Sequence, residues 1–214
     1  MYDLYRALIV EYGLKMLKSN QVSGSSGNLS VKISENLIAI SPSGIPYDEL
    51  LPEQVPVIDL NGKVIDGSYK PSIEHKLHAE IYKNFPEVGA VIHTHSIYAS
   101  VLSTLQISLP AITETVLMIS EEIPIASYAN AGTFELARNV VEAMKKSRAV
   151  LMANHGLVCA AKTMKEAFSM CENVERNAQV YVLALSTGKM VHTIDEAHAK
   201  EAMEFLRKNY GQTT

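Results

Sequence analysis

The 214-residue chain has little cysteine, no tryptophan and no excess of positive charge. Its two cysteines are too few for a disulfide framework and lack the CxxC spacing of many metal and redox motifs. Its 19 basic and 23 acidic residues give a formal net charge of −4, which offers no basic field for nucleic acid or anionic lipid. We therefore expect no nucleic-acid partner and a reducing, cytoplasmic location.

Long apolar runs are also missing. No run approaches the roughly 18 residues needed to cross a bilayer, and charges at Asp3, Arg6 and Glu11 interrupt the place where a signal peptide would carry its apolar stretch. We therefore expect no membrane association. What is present is a globular composition, with 47% hydrophobic and 20% charged residues. Without a repeat, a low-complexity tract or a linker, the sequence predicts one domain over residues 1–214.

Strand-like and helix-like segments alternate along the chain. Asn61-Gly62 lies between two β-branched runs and predicts a hairpin, because both residues tolerate positive φ. Ser72, Thr133 and Thr163 are the predicted N-caps of three helices. Apolar runs predict further strands near 29–33, 37–40, 88–92, 123–126, 148–153 and 157–161, and helical periodicity predicts helices near 4–17, 73–84, 97–105, 133–146, 164–185 and 195–209. This order predicts an α/β protein with a mixed sheet covered by helices on both faces.

Three of the seven histidines stand where predicted strands end. His93 and His95 are two residues apart at the end of an apolar strand, so their side chains point to the same side and can bind one metal ion. His155 lies in a turn between two strands, where it has no evident packing role. Glu74 opens a helix, where a carboxylate is more often a partner of the helix dipole. Together the four side chains suit zinc, with manganese or cobalt as alternatives.

The other four histidines have ordinary interpretations. His78 lies one helical turn beyond Glu74, within reach of the candidate metal ligands, but a structural role is the simpler explanation. His75 flanks Glu74 on the same helix, and His192 and His198 read as surface residues. The sequence therefore assigns only three histidines to a metal.

Two loops rich in small residues form a second group of candidates. The segments 23–28 and 41–44 combine glycines, which permit a close backbone approach, with hydroxyl or amide side chains, and Ser72 adds a hydroxyl near a helix N-terminus. Neither loop is a Walker or dinucleotide fingerprint, and each alone is more often an ordinary turn. Their joint occurrence upstream of a metal-binding set favours phosphate binding.

Five motifs follow one another along the chain: SGNLS at 26–30, SPSGIPY at 41–47, KPSIE at 70–74, HTH at 93–95 and NHGL at 154–157. In this order they resemble the class II aldolase/adducin family over nearly the whole chain. The resemblance implies a three-layer α/β/α sandwich with a mixed, largely antiparallel sheet, assembled as a homotetramer with zinc-dependent active sites at subunit interfaces. It also implies a sugar-phosphate substrate: a ketose 1-phosphate, such as L-fuculose 1-phosphate, cleaved reversibly to dihydroxyacetone phosphate and a short aldehyde such as lactaldehyde.

The resemblance also implies roles for individual residues. Glu74 matches a carboxylate that is a metal ligand in the resting site and the acid or base during turnover, and Tyr210 matches a C-terminal tyrosine that serves a neighbouring subunit's site as a proton donor. The zinc ligands are matched by His93, His95 and His155. The phosphate pocket is matched by Asn28, Ser43, Gly44 and Ser72, with the backbone N–H of Ile73 at a position where the family has a second serine.

Two departures leave the aldehyde open, because Glu114 and Ala131 stand where the resemblance leads us to expect a tyrosine and a phenylalanine. The first alternative function is a sugar-phosphate 4-epimerase of the L-ribulose-5-phosphate type, although that group carries aspartate at the position of Glu74. A non-catalytic adducin-like interaction domain is the second, although such domains lose metal ligands that are all present here. A metal-dependent dehydratase or decarboxylase is the third.

Overall fold

The computed structural model describes residues 2–209. Helices and strands alternate along this part of the chain. The helices are α1 (Asp3–Lys18), α2 (His75–Asn84), α3 (Ile97–Leu105), α4 (Glu114–Leu117), α5 (Phe134–Met144), α6 (Met164–Ser186) and α7 (Glu196–Asn209), with a short 3-10 helix at Pro52–Gln54. The strands are β1 (Asn28–Ser34), β2 (Leu37–Ile40), β3 (Val57–Asp59), β4 (Val64–Asp66), β5 (Ala90–Thr94), β6 (Leu109–Pro110), β7 (Glu122–Ile123), β8 (Ile125–Ala126), β9 (Ala149–Met152) and β10 (Gly156–Ala161).

Eight of these strands form one sheet in the order β4-β3-β2-β1-β5-β10-β9-β8. The pair β8–β9 is parallel, and the other neighbouring pairs of this sheet are antiparallel. The predicted hairpin is present between β3 and β4, with Gly62 at a φ of +87°. The expectation of a mixed, largely antiparallel sheet is therefore confirmed.

Helices cover both faces of the sheet. Apolar side chains of α1, α3 and α6 share one buried cluster with Ala90 and Ile92 of β5. Those of α2 and α5 share a second cluster with Val91 of the same strand. Because side chains alternate across a strand, the two clusters lie on opposite faces, and the three-layer α/β/α arrangement is confirmed. Within residues 2–209, no helix combines the length and the apolar composition that a bilayer crossing requires.

The start of α2 differs from the prediction. The helix begins at His75, with Glu74 at the N-cap position, so the prediction that Ser72 is the N-cap is wrong by two residues. The backbone N–H of Ser72 donates to Ser41 O at 3.0 Å, which holds this segment against the loop at 41–44 instead of letting it turn into the helix. The Ser72 hydroxyl oxygen accepts from Glu74 N at 3.2 Å. Glu74 therefore lies at the N-terminus of the helix.

The predicted strand at 123–126 is divided at Pro124. β7 pairs with β6 in a separate two-stranded sheet, whereas β8 pairs with β9. Pro124 has no N–H to donate to a ladder, which marks the change of partner. The sequence also predicted neither β6, nor α4, nor the short 3-10 helix, because elements of two to four residues are too short to show a period.

The order of the strands brings several candidate residues to one edge. β5 lies between β1 and β10, with His93 opposite Asn28 on one side and opposite Val158 on the other. The carboxyl end of β5, the start of β1 and the β9–β10 turn therefore meet, since antiparallel neighbours run in opposite directions.

Candidate metal centre

Three imidazole rings converge beyond the carboxyl end of β5. Nε2 of His93 and Nε2 of His95 are 2.9 Å apart, and the His155 ring centroid lies 4.7 Å from that of His93 and 5.3 Å from that of His95. One nitrogen from each of the three rings lies within 4.8 Å of the others. The structure therefore brings together the three histidines that the sequence singled out.

His93 is held in one ring orientation and one charge state. It is fully buried in β5, and burial, followed by the nearby rings of His155 and His95, lowers its pKa well below the usual range. The neutral ring places its proton on Nδ1, which donates to Leu157 O in β10 at 2.9 Å. Nε2 then carries a lone pair toward the other two rings, as metal-binding histidines commonly do.

The rings of His95 and His155 are positioned by the backbone segments at the ends of the strands. His95 follows β5 directly, its backbone N–H donates to Gln21 O at 3.0 Å, and burial is the largest cause of its lowered pKa. Asn154, before His155, has a φ of +54° in the β9–β10 turn. Gly156 makes room for the cluster, because a Cβ there would lie 2.3 Å from Thr94 O and 3.3 Å from Cε1 of His93.

Glu74 faces these rings from the start of α2. Its Oε2 is 3.4 Å from His93 Nε2 and its Oε1 is 3.6 Å from His155 Nε2. Oε1 is buried and has no hydrogen-bond partner among the described residues. A buried carboxylate oxygen without a donor is costly unless a cation compensates it. The orphaned oxygen and three imidazole nitrogens are donors that fit a divalent transition-metal ion.

Asn28 lies between Glu74 and the core. Its Nδ2 donates to Glu74 Oε2 at 2.7 Å, and its Oδ1 is 2.5 Å from Nε2 of His78. His78 in turn reaches Ser30 through Nδ1 at 2.7 Å, and the Ser30 hydroxyl contacts Tyr82 OH at 2.9 Å. The amide that the sequence placed in the phosphate pocket thus contacts the carboxylate, with one further N–H left to donate.

The sequence did not single out Ser30 or Tyr82, and it gave His78 a structural role. Signals for all three exist, however. Ser30 is two residues after Asn28 and so faces the same side of β1. His78 and Tyr82 follow Glu74 at steps of four residues, on one face of α2. What the sequence could not show is that these two faces meet.

The two candidate phosphate loops, 23–28 and 41–44, lie beside each other and beside the segment 70–73. Ser43 N donates to Lys70 O at 2.9 Å, and the Tyr47 hydroxyl donates to Gly27 O at 3.1 Å. Ser43 and Gly44 are exposed and Gly44 has a φ of +76°, whereas Ser72 is buried and Ile73 is exposed. Since residues 72 and 73 precede Glu74 directly, these loops open beside the histidine cluster.

Three further candidates are Tyr210, Ala131 and Glu114. Tyr210 falls outside the described residues. Ala131 is exposed in the loop before α5. The next residue, Gly132, is packed so closely that an added Cβ would lie 2.8 Å from Ile73 O, which places this loop beside the segment preceding Glu74. Glu114 is exposed in the first turn of α4.

Comparison with known proteins identifies the family of the chain. Residues 7–182 match the family described as Class II Aldolase and Adducin N-terminal domain. The chain is 38% identical over 208 residues to a 5-deoxy-D-ribulose 1-phosphate aldolase from Bacillus thuringiensis serovar kurstaki, covering 97% of each chain. It is 32% identical over 204 residues to the L-fuculose phosphate aldolase of Escherichia coli K12, covering 95% of this chain and 94% of the relative.

A solved structure gives the same result. An L-fuculose 1-phosphate aldolase superposes with a TM-score of 0.90 and 35% sequence identity, covering 95% of this chain and 96% of its own. The family match, the relatives and the fold all agree with the family that the five sequence motifs resemble. The chain therefore belongs to the class II aldolase and adducin family, and within it to the class II aldolases, which are lyases.

Proposed function

We propose that the protein is a zinc-dependent aldolase that reversibly cleaves a ketose 1-phosphate into dihydroxyacetone phosphate and a short aldehyde. The observation that carries this proposal is the buried Oε1 of Glu74, which has no hydrogen-bond partner within residues 2–209 and faces three histidines. Relatives named for L-fuculose phosphate and 5-deoxy-D-ribulose 1-phosphate support the substrate class, since both are ketose 1-phosphates.

We assign the metal to His93, His95, His155 and, in the resting site, Glu74. Zinc suits this mixture of nitrogen and oxygen ligands, and manganese or cobalt could replace it. A bound divalent ion supplies charge stabilisation for the enediolate that carbon–carbon cleavage leaves behind. A Schiff-base lysine is then not required.

The carboxylate of Glu74 moves the proton at the enediolate carbon. Its position at the N-terminus of α2 lets it act from the side of the phosphate loops, while the amide of Asn28 holds Oε2. A carboxylate placed in this way works as a positioned acid or base.

The phosphate group of the substrate binds in the loops beside Glu74. The hydroxyls of Ser43 and Ser72 and the backbone N–H groups of Gly44 and Ile73 would donate to its oxygens, and the second Nδ2 hydrogen of Asn28 would add a further contact. The phosphate is remote from the bond that breaks. Its binding holds the reacting carbon in place, and this is how remote binding energy contributes to turnover.

The chain would act as one domain over residues 1–214 within a cytoplasmic homotetramer. The active sites would then lie at subunit interfaces, where Tyr210 of a neighbouring chain would take the proton of the substrate C4 hydroxyl during cleavage and give it back to the aldehyde oxygen during condensation. The exposed residues Glu114 and Ala131 would shape the aldehyde side, so the aldehyde can differ from lactaldehyde.

The test is a substrate panel on the purified, zinc-loaded protein. L-Fuculose 1-phosphate, 5-deoxy-D-ribulose 1-phosphate and L-ribulose 5-phosphate would each be assayed for release of dihydroxyacetone phosphate and for epimerisation. We expect triose phosphate from at least one ketose 1-phosphate, and about one metal ion per chain by elemental analysis. Epimerisation without release would favour the 4-epimerase instead, and no release from any compound would overturn the aldolase proposal.

A further inference from the structure

A chain of hydrogen bonds runs from the candidate site into the core. Its members are all buried, with Ser30 and His78 fully inaccessible. In order, it joins Glu74 Oε2 to Asn28 Nδ2, Asn28 Oδ1 to His78 Nε2, His78 Nδ1 to Ser30 Oγ, and Ser30 Oγ to Tyr82 OH. It connects one face of α2 with the start of β1, where Asn28 is the cross-strand neighbour of His93.

We propose that His78 is a positioning residue for the lyase reaction: it fixes the Asn28 amide with its NH2 group turned toward Glu74 and so holds the carboxylate in its working orientation. The proposal rests on the proposed function, because it concerns the same carboxylate. It gives a role to the one buried histidine outside the metal set.

The chemistry of the donors gives the chain a direction. The amide oxygen of Asn28 can only accept, so His78 Nε2 must carry the proton at this contact. Burial lowers the pKa of His78 to about 3, so the ring is neutral at pH 7 and its Nδ1 accepts from the Ser30 hydroxyl. Tyr82 then donates toward Ser30, whose Oγ and backbone O lie 2.9 and 3.0 Å from it. Every proton therefore points toward Glu74.

The opposite amide orientation is unfavourable for an ionised Glu74. It would place Asn28 Oδ1 against a carboxylate oxygen at the position where the two groups are now 2.7 Å apart. Two acceptors at that distance repel each other. His78 in its Nε2–H form excludes this arrangement, since it has no acceptor there for the amide NH2.

The orientation of Glu74 depends on this contact. Oε1 has no hydrogen-bond partner among residues 2–209, so the protein's hold on the carboxylate is at Oε2, through Asn28. A group that must turn between a metal and a substrate proton loses rate steeply when it is displaced, and a shift of about 1 Å can cost about 10²-fold. Replacement of His78 should therefore lower the reaction rate, although the ring is buried too deeply to contact the substrate.

The experiment compares two variants of the full-length, zinc-loaded enzyme. His78→Met fills the space without a donor, and His78→Gln retains an amide N–H near the place of Nε2. We expect His78→Met to lower kcat about 10- to 100-fold with KM for the ketose 1-phosphate nearly unchanged, and His78→Gln to recover most of that loss. Equal kcat in His78→Met and wild type would overturn the proposal.

Two controls separate positioning from general damage. Ser120→Ala removes another buried hydroxyl, whose oxygen lies 2.6 Å from Glu122 O and 2.8 Å from Ser147 Oγ away from the site, and should lower stability but leave kcat unchanged. In a Glu74→Gln background, His78→Met should add little further loss, because residues that act through one group are not additive. A full additional loss there would show a structural effect and contradict the role assigned to His78.

A spectroscopic readout remains if His78→Met does not fold. Imidazole 15N shifts of the wild-type protein should show His78 protonated at Nε2 and unprotonated at Nδ1, and Asn28→Ala should shift the Nε2 signal. The Nδ1–H form or a charged ring would overturn the proposal. A wild type that releases no triose phosphate would overturn the proposed function and with it the reaction role of His78, whereas an active wild type with unchanged His78 variants would overturn this inference alone.

Discussion

Single residues decide what the candidate site can do. The alternation of a strand is enough to place His93 and His95 on one side, and the turn at 154–156 is enough to suggest His155. The contact between Asn28 and Glu74 joins residues 46 positions apart and follows only from the pairing of β1 with β5 and the packing of α2. Local patterns therefore identify ligands, whereas the partners that orient them depend on the tertiary fold.

Glu74 is the residue whose replacement should separate chemistry from binding. Glu74→Gln keeps the size of the side chain but removes its ability to take up a proton, so turnover should fall about 10²-fold or more. The measurement is kcat for release of dihydroxyacetone phosphate from the best ketose 1-phosphate at saturating zinc. An unchanged rate in a zinc-loaded variant would show that the carboxylate is only structural.

Gly156 should be intolerant of any side chain. The Cβ of Gly156→Ala would lie 2.3 Å from Thr94 O, and a backbone atom cannot move aside as a side chain can. We expect a loss of about 1–3 kcal/mol in the free energy of unfolding and weaker zinc binding, because the strain falls between two ligand-bearing segments. Urea denaturation measures the loss of stability, and a zinc titration measures the change in affinity.

Gly188→Ala is the matched control. Its added Cβ meets nothing within 4 Å, and its cost of about 1–2 kcal/mol comes only from its positive φ. It should leave zinc affinity unchanged.

At the scale of elements, capping chemistry explains where prediction succeeds and where it fails. α6 begins after Thr163 as predicted, because Thr163 Oγ1 accepts from Glu166 N at 3.2 Å and Glu166 Oε2 accepts from Thr163 N at 3.3 Å. Ser72 carries the same kind of signal, but its backbone is paired with Ser41 and the helix starts two residues later. A cap motif therefore fixes a helix start only where no other segment competes for the same backbone groups.

The cap of α6 gives a prediction about stability alone. Thr163→Ala removes the side-chain acceptor of Glu166 N but keeps the backbone N–H that donates to Glu166 Oε2, so the free energy of unfolding should fall by about 1 kcal/mol, as for other N-caps. Thr133→Ala at the start of α5 is the comparison, since Thr133 accepts from Leu136 N at 3.2 Å. Urea unfolding monitored by circular dichroism measures the two losses. A fall in kcat with either variant would contradict the view that these caps act only on stability.

At the scale of the whole molecule, the sheet joins the site to both core layers. β5 carries His93 and contributes Ile92 to one apolar cluster and Val91 to the other. The sequence pattern predicts the layers, because long periodic segments have a clear apolar side. It does not predict that Pro124 splits one strand between two sheets, since that depends on which neighbouring strand is available. The same central position means that changes at the site affect the stability of the whole fold.

Removal of metal should therefore lower thermal stability. An ion that binds the folded chain and not the unfolded one stabilises it by about 4 kcal/mol at a free concentration about 1,000 times its Kd. The midpoint of thermal unfolding should fall on treatment with a chelator and return on addition of zinc. His93→Ala, which removes one ligand, should show a much smaller response to zinc. A wild-type midpoint that is the same with zinc and with chelator would argue against a metal ion in this cluster.

Acid should destabilise the metal-free fold through its buried histidines. His78 has a pKa of about 3 in the folded chain against an ordinary value of 6.5 when unfolded, because burial disfavours the charged ring. Between these values the unfolded chain binds a proton that the folded chain does not, so the free energy of unfolding falls as the pH falls, by about 1.4 kcal/mol per unit for one such group. Above pH 6.5 the ring is neutral in both states and contributes no slope.

His78→Gln isolates this term, because it removes the titrating group and leaves a hydrogen-bonding side chain in its place. His93 and His95 also have lowered pKa values and add to the acid slope in both proteins, so they cancel in the comparison. Urea unfolding of the chelator-treated proteins over a pH series on both sides of 6.5 should give equal slopes above that value, and below it a wild-type slope greater by about 1.4 kcal/mol per unit. Equal slopes throughout would mean that His78 takes up a proton in the folded chain as readily as in the unfolded one, and that its ring is not locked in the neutral form that the hydrogen-bond chain to Glu74 requires.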